Sequence, residues 1–236
     1  MESLLASLPK NPRVTIGLPL AIWGEGYSKF LEQWWDGVLS LETKPDEIVI
    51  VTDSKNHPAV FEGVRDWSIT KVVKRDLENY AQYWNLAIKL CSTKWVAICN
   101  VDDQFLPKGI NSILEAEKRG CNLVCDAIRT KGSDHILYTN WVADDLNHTF
   151  ELGGANPMTK DLWEASGGFP EGIRFADWGL ALLMRKTGLV KPYRTSEIRI
   201  VYDRGYDRVT LSGASISAQD RTEGIEQIRQ LAKALR

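Results

Sequence analysis

The sequence predicts an α/β fold in which a mostly parallel central sheet is flanked by helices and carries a small antiparallel extension. Short apolar runs alternate with amphipathic stretches between residues 14 and 119, which is the order that builds a parallel sheet covered by helices. The run at residues 47–52 is almost continuously β-branched, as expected for a strand buried on both faces. After Gly120 two strand-like runs follow one another, and these predict the antiparallel part.

The elements of the first half are predicted from apolar periodicity and from residues that start or end helices. Strands are predicted at residues 14–18, ending at Pro19, and at residues 47–52, 69–74 and 94–99. Helices are predicted at residues 27–41, 57–64, 79–90 and 107–119. The last of these helices has a proline near its start and Gly120 just beyond its end, where each residue is favoured.

The second half is predicted to begin with a hairpin. Residues 122–129 and 135–141 pair through a Lys-Gly-Ser turn at residues 131–133. Helices are then predicted at residues 159–166, with Thr159 as the cap and Gly167-Gly168 as the terminator, and at residues 177–187, ended by Gly188. The remaining elements are a strand at residues 198–202 and a terminal helix at residues 217–236.

Composition argues against several classes of protein. The 236 residues are 44% hydrophobic and 25% charged, as in an ordinary soluble protein. A net charge of −2 gives no electrostatic reason to expect nucleic acid or an anionic membrane as partner. No apolar stretch approaches the ~20 residues of an integral membrane segment. Cys91 and Cys99 lie in apolar segments and are predicted to be buried thiols. A disulfide framework is not expected at this length, so a cytoplasmic, soluble protein is expected, with peripheral attachment to a membrane left open.

The most informative segment is residues 94–107. Its apolar run stops abruptly at Asn100, Asp102 and Asp103, and open α/β sheets bind ligands at the carboxyl ends of their strands. In an extended chain positions 100 and 102 point to the same side, and paired oxygen ligands suit Mg²⁺ or Mn²⁺. An alternative is that Asp103 only caps the following helix.

Five segments together resemble an inverting glycosyltransferase of family 2, which has the GT-A fold. They are residues 14–20, residues 48–54, residues 79–87 with Asn85, Asn100-Val101-Asp102-Asp103 with Pro107, and a final block. This block consists of Gly167-Gly168-Phe169-Pro170-Glu171, Phe175-Ala176-Asp177-Trp178-Gly179-Leu180, Arg185 and Gly188. The resemblance implies a hexosyltransferase that moves a sugar from a UDP-sugar donor to a saccharide or another hydroxyl acceptor.

The resemblance also implies roles for individual residues. Asp177 would be the catalytic base, and Asp102, with Asn100 and Asp103, would hold Mn²⁺ or Mg²⁺. Asp53 would accept a hydrogen bond from the uracil N3–H. The implied nucleotide-sugar-binding residues are Pro19, Leu20, Ala21, Asp53, Asn85, Asn100, Val101, Asp102, Arg204 and Arg208. The implied acceptor-side residues are Gly167, Gly168, Phe169 and Trp178.

The chain departs from the family pattern at two positions. Asn100 replaces the first aspartate of the metal motif, and Ala176 replaces the acidic residue before the catalytic aspartate. The third metal ligand of the family, a histidine, is not evident, and Asp203 or Asp207 lies where it belongs. Residues 1–236 are expected to form one domain, with a nucleotide-sugar-binding half (13–120), an acceptor and catalytic half (121–216) and a C-terminal helix (217–236).

Two rival functions remain open at this point. A sugar-nucleotide nucleotidyltransferase shares the architecture, but the loop at residues 18–24 lacks the glycine-rich, arginine-containing pattern of those enzymes. A non-catalytic nucleotide-binding module is favoured by Asn100 and Ala176. The stretch around Arg204 and Arg208 is interpreted as a mobile lid or as a solvated loop.

The tryptophans divide into two groups. Trp163 and Trp178 are candidates for stacking on sugar, whereas Trp34 and Trp35 are expected in the core.

Overall fold

The computed structural model describes residues 14–24, 26–139, 156–202 and 218–235. Strands and helices alternate in the first half, as the sequence predicts. The strands are β1 (Ile16–Ile22), β2 (Glu47–Thr52), β3 (Thr70–Lys74), β4 (Trp95–Val96) and β5 (Gln104–Phe105). The helices are α1 (Leu31–Ser40), which follows a short 3-10 helix (Tyr27–Phe30), then α2 (His57–Glu62), α3 (Tyr80–Leu90) and α4 (Asn111–Lys118).

The second half contains the predicted hairpin and helices. Its strands are β6 (Leu123–Thr130), β7 (Ile136–Tyr138), β8 (Met158–Thr159) and β9 (Pro192–Tyr202). Its helices are α5 (Lys160–Ser166), α6 (Ala176–Thr187) and α7 (Ala218–Ala234). The helix predicted from residue 79 is capped by Asn79, whose side chain accepts from the N–H of Gln82 at the start of α3. The predicted cap at Thr159 is confirmed, because its side chain accepts from the N–H of Leu162 in α5.

The described strands form one continuous sheet in the order β3-β2-β1-β4-β8-β6-β9-β5, with β7 paired to β6. The pairs among β1 to β4 are parallel, so the predicted α/β fold with a parallel first half is confirmed. The antiparallel extension contains the predicted β6–β7 pair. It also contains two unpredicted strands, β5 and β8, which have two residues each and are too short to show a period.

The prediction that the first strand ends at Pro19 is wrong, because Pro19 lies in the middle of β1. The carbonyls of Thr15 and Gly17 accept hydrogen bonds from Trp95 and Ala97 in the β4 segment. Pro19 is the next residue on that side and has no N–H with which to continue the ladder. Proline is tolerated at this position because the pairing between β1 and β4 has already ended there, so no N–H is needed.

The prediction of a helix from residue 107 is also wrong in its start, since α4 begins at Asn111 and its N-cap is Ile110. Residues 104–105 instead pair with β9 as β5. The N–H of Leu106 donates to the carbonyl of Arg199, which continues this attachment. Asp103 therefore does not cap α4, and the alternative reading of the acidic segment as a mere helix cap is excluded.

The core divides into one apolar cluster on each face of the sheet. The first contains Trp34 and Trp35, which are 0% and 1% exposed, so their prediction as core residues is confirmed. The second contains residues of α3, α5 and α6, including Trp84 and Trp163. Burial of such large rings supplies most of the favourable free energy of folding. No helix of the described residues combines the length and the apolar character that crossing a membrane requires.

Candidate active site

The segment after β4 forms a tight turn rather than an extended strand. The N–H of Asp103 donates to the carbonyl of Asn100 at 3.0 Å, and Val101, Asp102 and Asp103 are 2%, 8% and 1% exposed. The premise that positions 100 and 102 share one side of an extended chain is therefore wrong. A turn still gathers the oxygens of Asn100, Asp102 and Asp103 within four consecutive residues, at the sequence-predicted place.

The side chain of Asn100 joins two neighbouring groups. Its Oδ1 accepts a hydrogen bond from the Tyr80 hydroxyl at 3.2 Å, and its Nδ2 donates to Asp103 Oδ2 at 3.1 Å. An aspartate at position 100 could not make the second bond, because an ionised carboxylate has no donor. The departure from the family pattern thus gives Asp103 a neutral partner in place of a third negative charge.

Tyr80 brings the two halves of the predicted site together. Loss of water around the phenol raises its pKa well above the usual 10.0, and the negative charges of Asp177, Asp102 and Asp103 raise it further. Interactions between charges weaken with distance, so these three carboxylates lie near the same phenol. Asp102 and Asp177, which lie 75 positions apart in the chain, are therefore both close enough to Tyr80 to affect its ionisation.

Tyr80 was not among the site residues predicted from the sequence. Tyr80 is the first residue of the helix, directly after the Asn79 cap. A tyrosine at the first position of a helix, where its hydroxyl can reach the end of a neighbouring strand, is the sequence feature that could have indicated this residue.

Asp177 lies in the first turn of α6. Burial raises the pKa of its carboxyl to about 6, although the N–H groups of Trp178 and of Asp177 itself act in the opposite direction. The rings of Phe175 and Trp178 stack beside it with their centroids 4.5 Å apart. A carboxylate with a raised pKa is a stronger base than one in water, which is what proton abstraction from a hydroxyl requires.

Asp53 lies at the carboxyl end of β2 and is 9% exposed. Its Oδ2 accepts from the N–H of Gly24 at 2.8 Å, and its Oδ1 accepts from the N–H and the Nδ2 of Asn56 at 2.7 and 3.0 Å. Asn56 Nδ2 also donates to the carbonyl of Gly24 at 2.7 Å. Asp53 and Asn56 thus fix the loop that follows β1, and Asn56 is a second residue that the sequence reasoning missed.

Pro19, Leu20 and Ala21 are buried within β1, and the loop after this strand begins at Trp23. Their assignment to the nucleotide-sugar was made for a loop and stays a prediction. The ring of Trp23, which is in that loop, stacks on Tyr83 of α3 with centroids 5.8 Å apart.

Asn85 attaches α3 to the segment after α5. Its Nδ2 donates to the carbonyl of Phe169, and its Oδ1 accepts from the N–H of Phe169, both at 2.8 Å. The NH₂ group and the oxygen of the Asn85 amide are thus both bonded to the backbone of Phe169, so Asn85 positions the Gly167-Gly168-Phe169 turn. Trp163 is 7% exposed and packs in the core, whereas Trp178 is only half-buried.

The family assignment follows from a sequence match. The sequence model of glycosyl transferase family 2 matches residues 22–169, which is more than half of the chain. The chain belongs to glycosyltransferase family 2. No curated protein sequence matches it.

Solved structures share the fold of this family 2 chain. It is similar to S. aureus TarS 1-349 in complex with UDP-GlcNAc, with a TM-score of 0.74 and 12% identity over 92% of this chain and 66% of that chain. It is also similar to the mannosyltransferase PcManGT from Pyrobaculum calidifontis in complex with GDP-Man and Mn²⁺. There the TM-score is 0.61 and the identity 14%, over 84% of this chain and 59% of that chain. The resemblance to GT-A glycosyltransferases is therefore confirmed, and the chain spans less than two thirds of the length of these structures.

The donor set of the family 2 chain fits a divalent cation that is shared with a ligand. Among the described residues, no group of three His, Cys, Asp or Glu side chains is arranged to hold a metal ion. Mg²⁺ is usually bound through one or two carboxylates together with substrate phosphates. Asp102, Asp103 and the Asn100 amide are hard oxygen donors of that kind, and a diphosphate would supply the remaining ligands.

Some predicted residues of the family 2 chain lie outside the described residues. They are Arg204 and Arg208, with Asp203 and Asp207 as candidates for a third metal ligand.

The two glycines of the 167–168 turn provide a matched pair of variants. Both have positive φ, at 84° and 80°. A Cβ at Gly167 would meet nothing within 4 Å, whereas one at Gly168 would lie 2.8 Å from Asn85 Oδ1 and 3.1 Å from Trp163 Cζ2.

We expect Gly167→Ala to cost about 1–2 kcal/mol, the usual penalty of a left-handed residue with a Cβ. Gly168→Ala should cost about 1–3 kcal/mol more, because it also disturbs the Asn85 contact. Urea unfolding of the two variants measures the difference. Equal losses of stability would mean that Asn85 does not restrain this turn.

Proposed function

We propose that this family 2 chain transfers a sugar from a UDP-sugar to a hydroxyl of a saccharide or related acceptor, with inversion and with Mn²⁺ or Mg²⁺. The observation that carries the proposal is that the Tyr80 hydroxyl, which bonds to Asn100 of the Asn100–Asp103 turn, also lies near Asp177. A single displacement needs a base and a site for the leaving diphosphate on opposite sides of the sugar, and these residues are suited to the two tasks.

The Asn100–Asp103 turn would hold the diphosphate end of the donor. Asp102, with Asp103 and Asn100, would bind the cation, and a bound cation stabilises negative charge on a departing diphosphate. Asp103 keeps its orientation through the Asn100 Nδ2–H, while Tyr80 restrains Asn100 from the other side. The loss of one family carboxylate makes the turn less charged, so we expect the cation to bind together with the nucleotide rather than alone.

Asp177 would accept the proton of the attacking hydroxyl. Its half-buried carboxyl lies next to the stacked rings of Phe175 and Trp178, which limit the access of water. Asp53 would accept a hydrogen bond from the uracil N3–H. Each of its oxygens can accept more than one donor, so the bonds to Gly24 and Asn56 leave capacity for this contact.

The proposed layout places the donor in residues 13–120 and the acceptor mainly against residues 121–216, before the C-terminal helix at residues 217–236. The acceptor-side residues would be Gly167, Gly168, Phe169 and Trp178. Asn85 supports this side through Phe169, and the exposed part of the Trp178 ring could pack against a sugar face.

A thermal-shift panel of nucleotides tests the proposal. UDP with Mn²⁺ should raise the melting temperature more than UDP with EDTA, and more than GDP with Mn²⁺, because a bound ligand stabilises by mass action. With Mn²⁺ the protein should also hydrolyse a UDP-sugar slowly without acceptor. A shift without hydrolysis would favour the non-catalytic module, and no shift with any nucleotide would exclude both functions.

The raised pKa of Asp177 predicts the pH dependence of transfer. A carboxyl with a pKa of about 6 is protonated in acid, so kcat/KM should fall about tenfold for each pH unit below the pKa. Asp126 also has a pKa raised to about 6 by burial, so a control is needed. The residual activity of Asp177→Asn should be independent of pH between 5 and about 8; if it still falls in acid, another group is responsible.

A further inference from the structure

A charged pair lies fully buried between β6 and β9. Arg199 Nε donates to Asp126 Oδ2 at 2.6 Å, and each side chain is 1% exposed. Asp126 Oδ1 and Arg199 Nη2 are also buried and have no hydrogen-bond partner. The pair is therefore incompletely satisfied, and burial raises the pKa of the Asp126 carboxyl despite the adjacent guanidinium.

Stability alone does not account for this pair. Removing two charges from water is costly, and a protein with well-packed apolar residues of similar volume in their place is often as stable. The unpartnered atoms increase that cost. The contacts of the Arg199 guanidinium indicate a second role for the pair.

Arg199 reaches the backbone that leads into the Asn100–Asp103 turn. Its Nη1 donates to the carbonyl of Ile98 at 2.7 Å, across 101 positions of sequence. Ile98 is two residues before Asn100 and lies beyond β4, whose backbone pairing has already ended. The next carbonyl, that of Cys99, accepts from Trp34 Nε1 at 3.1 Å. Beyond the end of the β4 pairing, the side chains of Arg199 and Trp34 therefore donate to the consecutive carbonyls of Ile98 and Cys99.

The geometry points to Arg199, oriented by Asp126, as a positioning residue that sets the conformation of the Asn100–Asp103 turn for cation and diphosphate. This inference rests on the proposed function. Arg199 touches neither the turn's carboxylates nor, in our proposal, the substrate. It acts by fixing the Ile98 carbonyl, just as the outer partners of metal ligands orient them elsewhere.

The test uses the double variant Asp126→Leu/Arg199→Met. It removes both charges together, so no lone charge is left buried, and folding should be retained. Isothermal titration then gives the Kd of UDP in Mn²⁺ and in EDTA. The Kd in EDTA should be unchanged, whereas the Kd in Mn²⁺ should weaken about tenfold to a hundredfold.

Lys94→Met is the matched control, because it removes an ion pair with Glu117 at the opposite end of β4. It should leave both dissociation constants unchanged. Arg199→Lys supplies a second variant if the double variant does not fold. A single ammonium cannot form the guanidinium's bonds to both Asp126 and Ile98, so the Kd in Mn²⁺ should again weaken.

The outcomes separate this inference from the proposed function. A wild-type protein that binds no UDP removes the proposed function. A wild-type protein that binds UDP with Mn²⁺, together with a folded double variant or Arg199→Lys that binds it equally well, overturns the positioning role. Equal weakening in Mn²⁺ and in EDTA also overturns it, because that pattern indicates a general structural effect.

Discussion

Asp177→Asn is expected to retain donor binding and to lose sugar transfer by about 10²–10⁴-fold, the range that a general base contributes. The substitution keeps the size of the side chain and removes only its ability to take a proton. Initial rates with a UDP-sugar and acceptor measure the loss, and UDP titration measures binding.

The same variant should be more stable than the wild type at neutral pH. The folded protein disfavours the charged carboxylate, because its pKa is raised from 3.8 to about 6. The stability contributed by the protonated group is therefore present below pH 3.8 and is lost as pH rises through the folded pKa. Asparagine does not ionise. The melting temperature of Asp177→Asn should therefore exceed that of the wild type at pH 8 and match it in strong acid.

Asp161→Asn is the control for both readouts, since Asp161 also lies in the first turn of a helix but is exposed. It should change neither transfer nor the pH dependence of stability. Asp177→Asn with undiminished transfer would show that another residue is the base.

Asp102→Ala is expected to abolish the Mn²⁺-dependent hydrolysis of a UDP-sugar and the Mn²⁺-dependent part of UDP binding. Asp102 is 8% exposed, in a turn where Asp103 is already bonded to Asn100. Asp102 is more exposed than Asp103, which is 1% exposed, and is therefore the carboxylate better placed to face a ligand. Loss of a ligand from a site with so few protein donors leaves the cation held almost entirely by the diphosphate.

Product release from a UDP-sugar measures the hydrolysis, and titration with UDP in Mn²⁺ or EDTA measures the binding. Asp66→Ala is the control, because Asp66 is a half-buried aspartate whose carboxylate is bonded by Ser68. Retained Mn²⁺-dependent hydrolysis in Asp102→Ala would remove the metal assignment from this turn.

Local patterns allowed much of the fold to be predicted. The β-branched run of β2 matches the observed bounds, Glu47–Thr52. The cap at Thr159 could be predicted because a cap needs only a side chain and the N–H three residues later. The failures, at Pro19 and at the start of α4, occurred where a distant strand determines whether a residue is paired.

The amino-acid sequence by itself determined the alternation of strand and helix, the ends of several helices and the family to which the chain belongs. These features depend on residues close together in the chain. Only the tertiary structure decided that Tyr80 bonds to the Asn100–Asp103 turn and lies near Asp177, and that Arg199 is a buried donor to Ile98. From the sequence alone, Arg199 in a predicted strand would be expected to face solvent. Its burial depends on the pairing of β6 with β9, which residues close together in the chain do not determine.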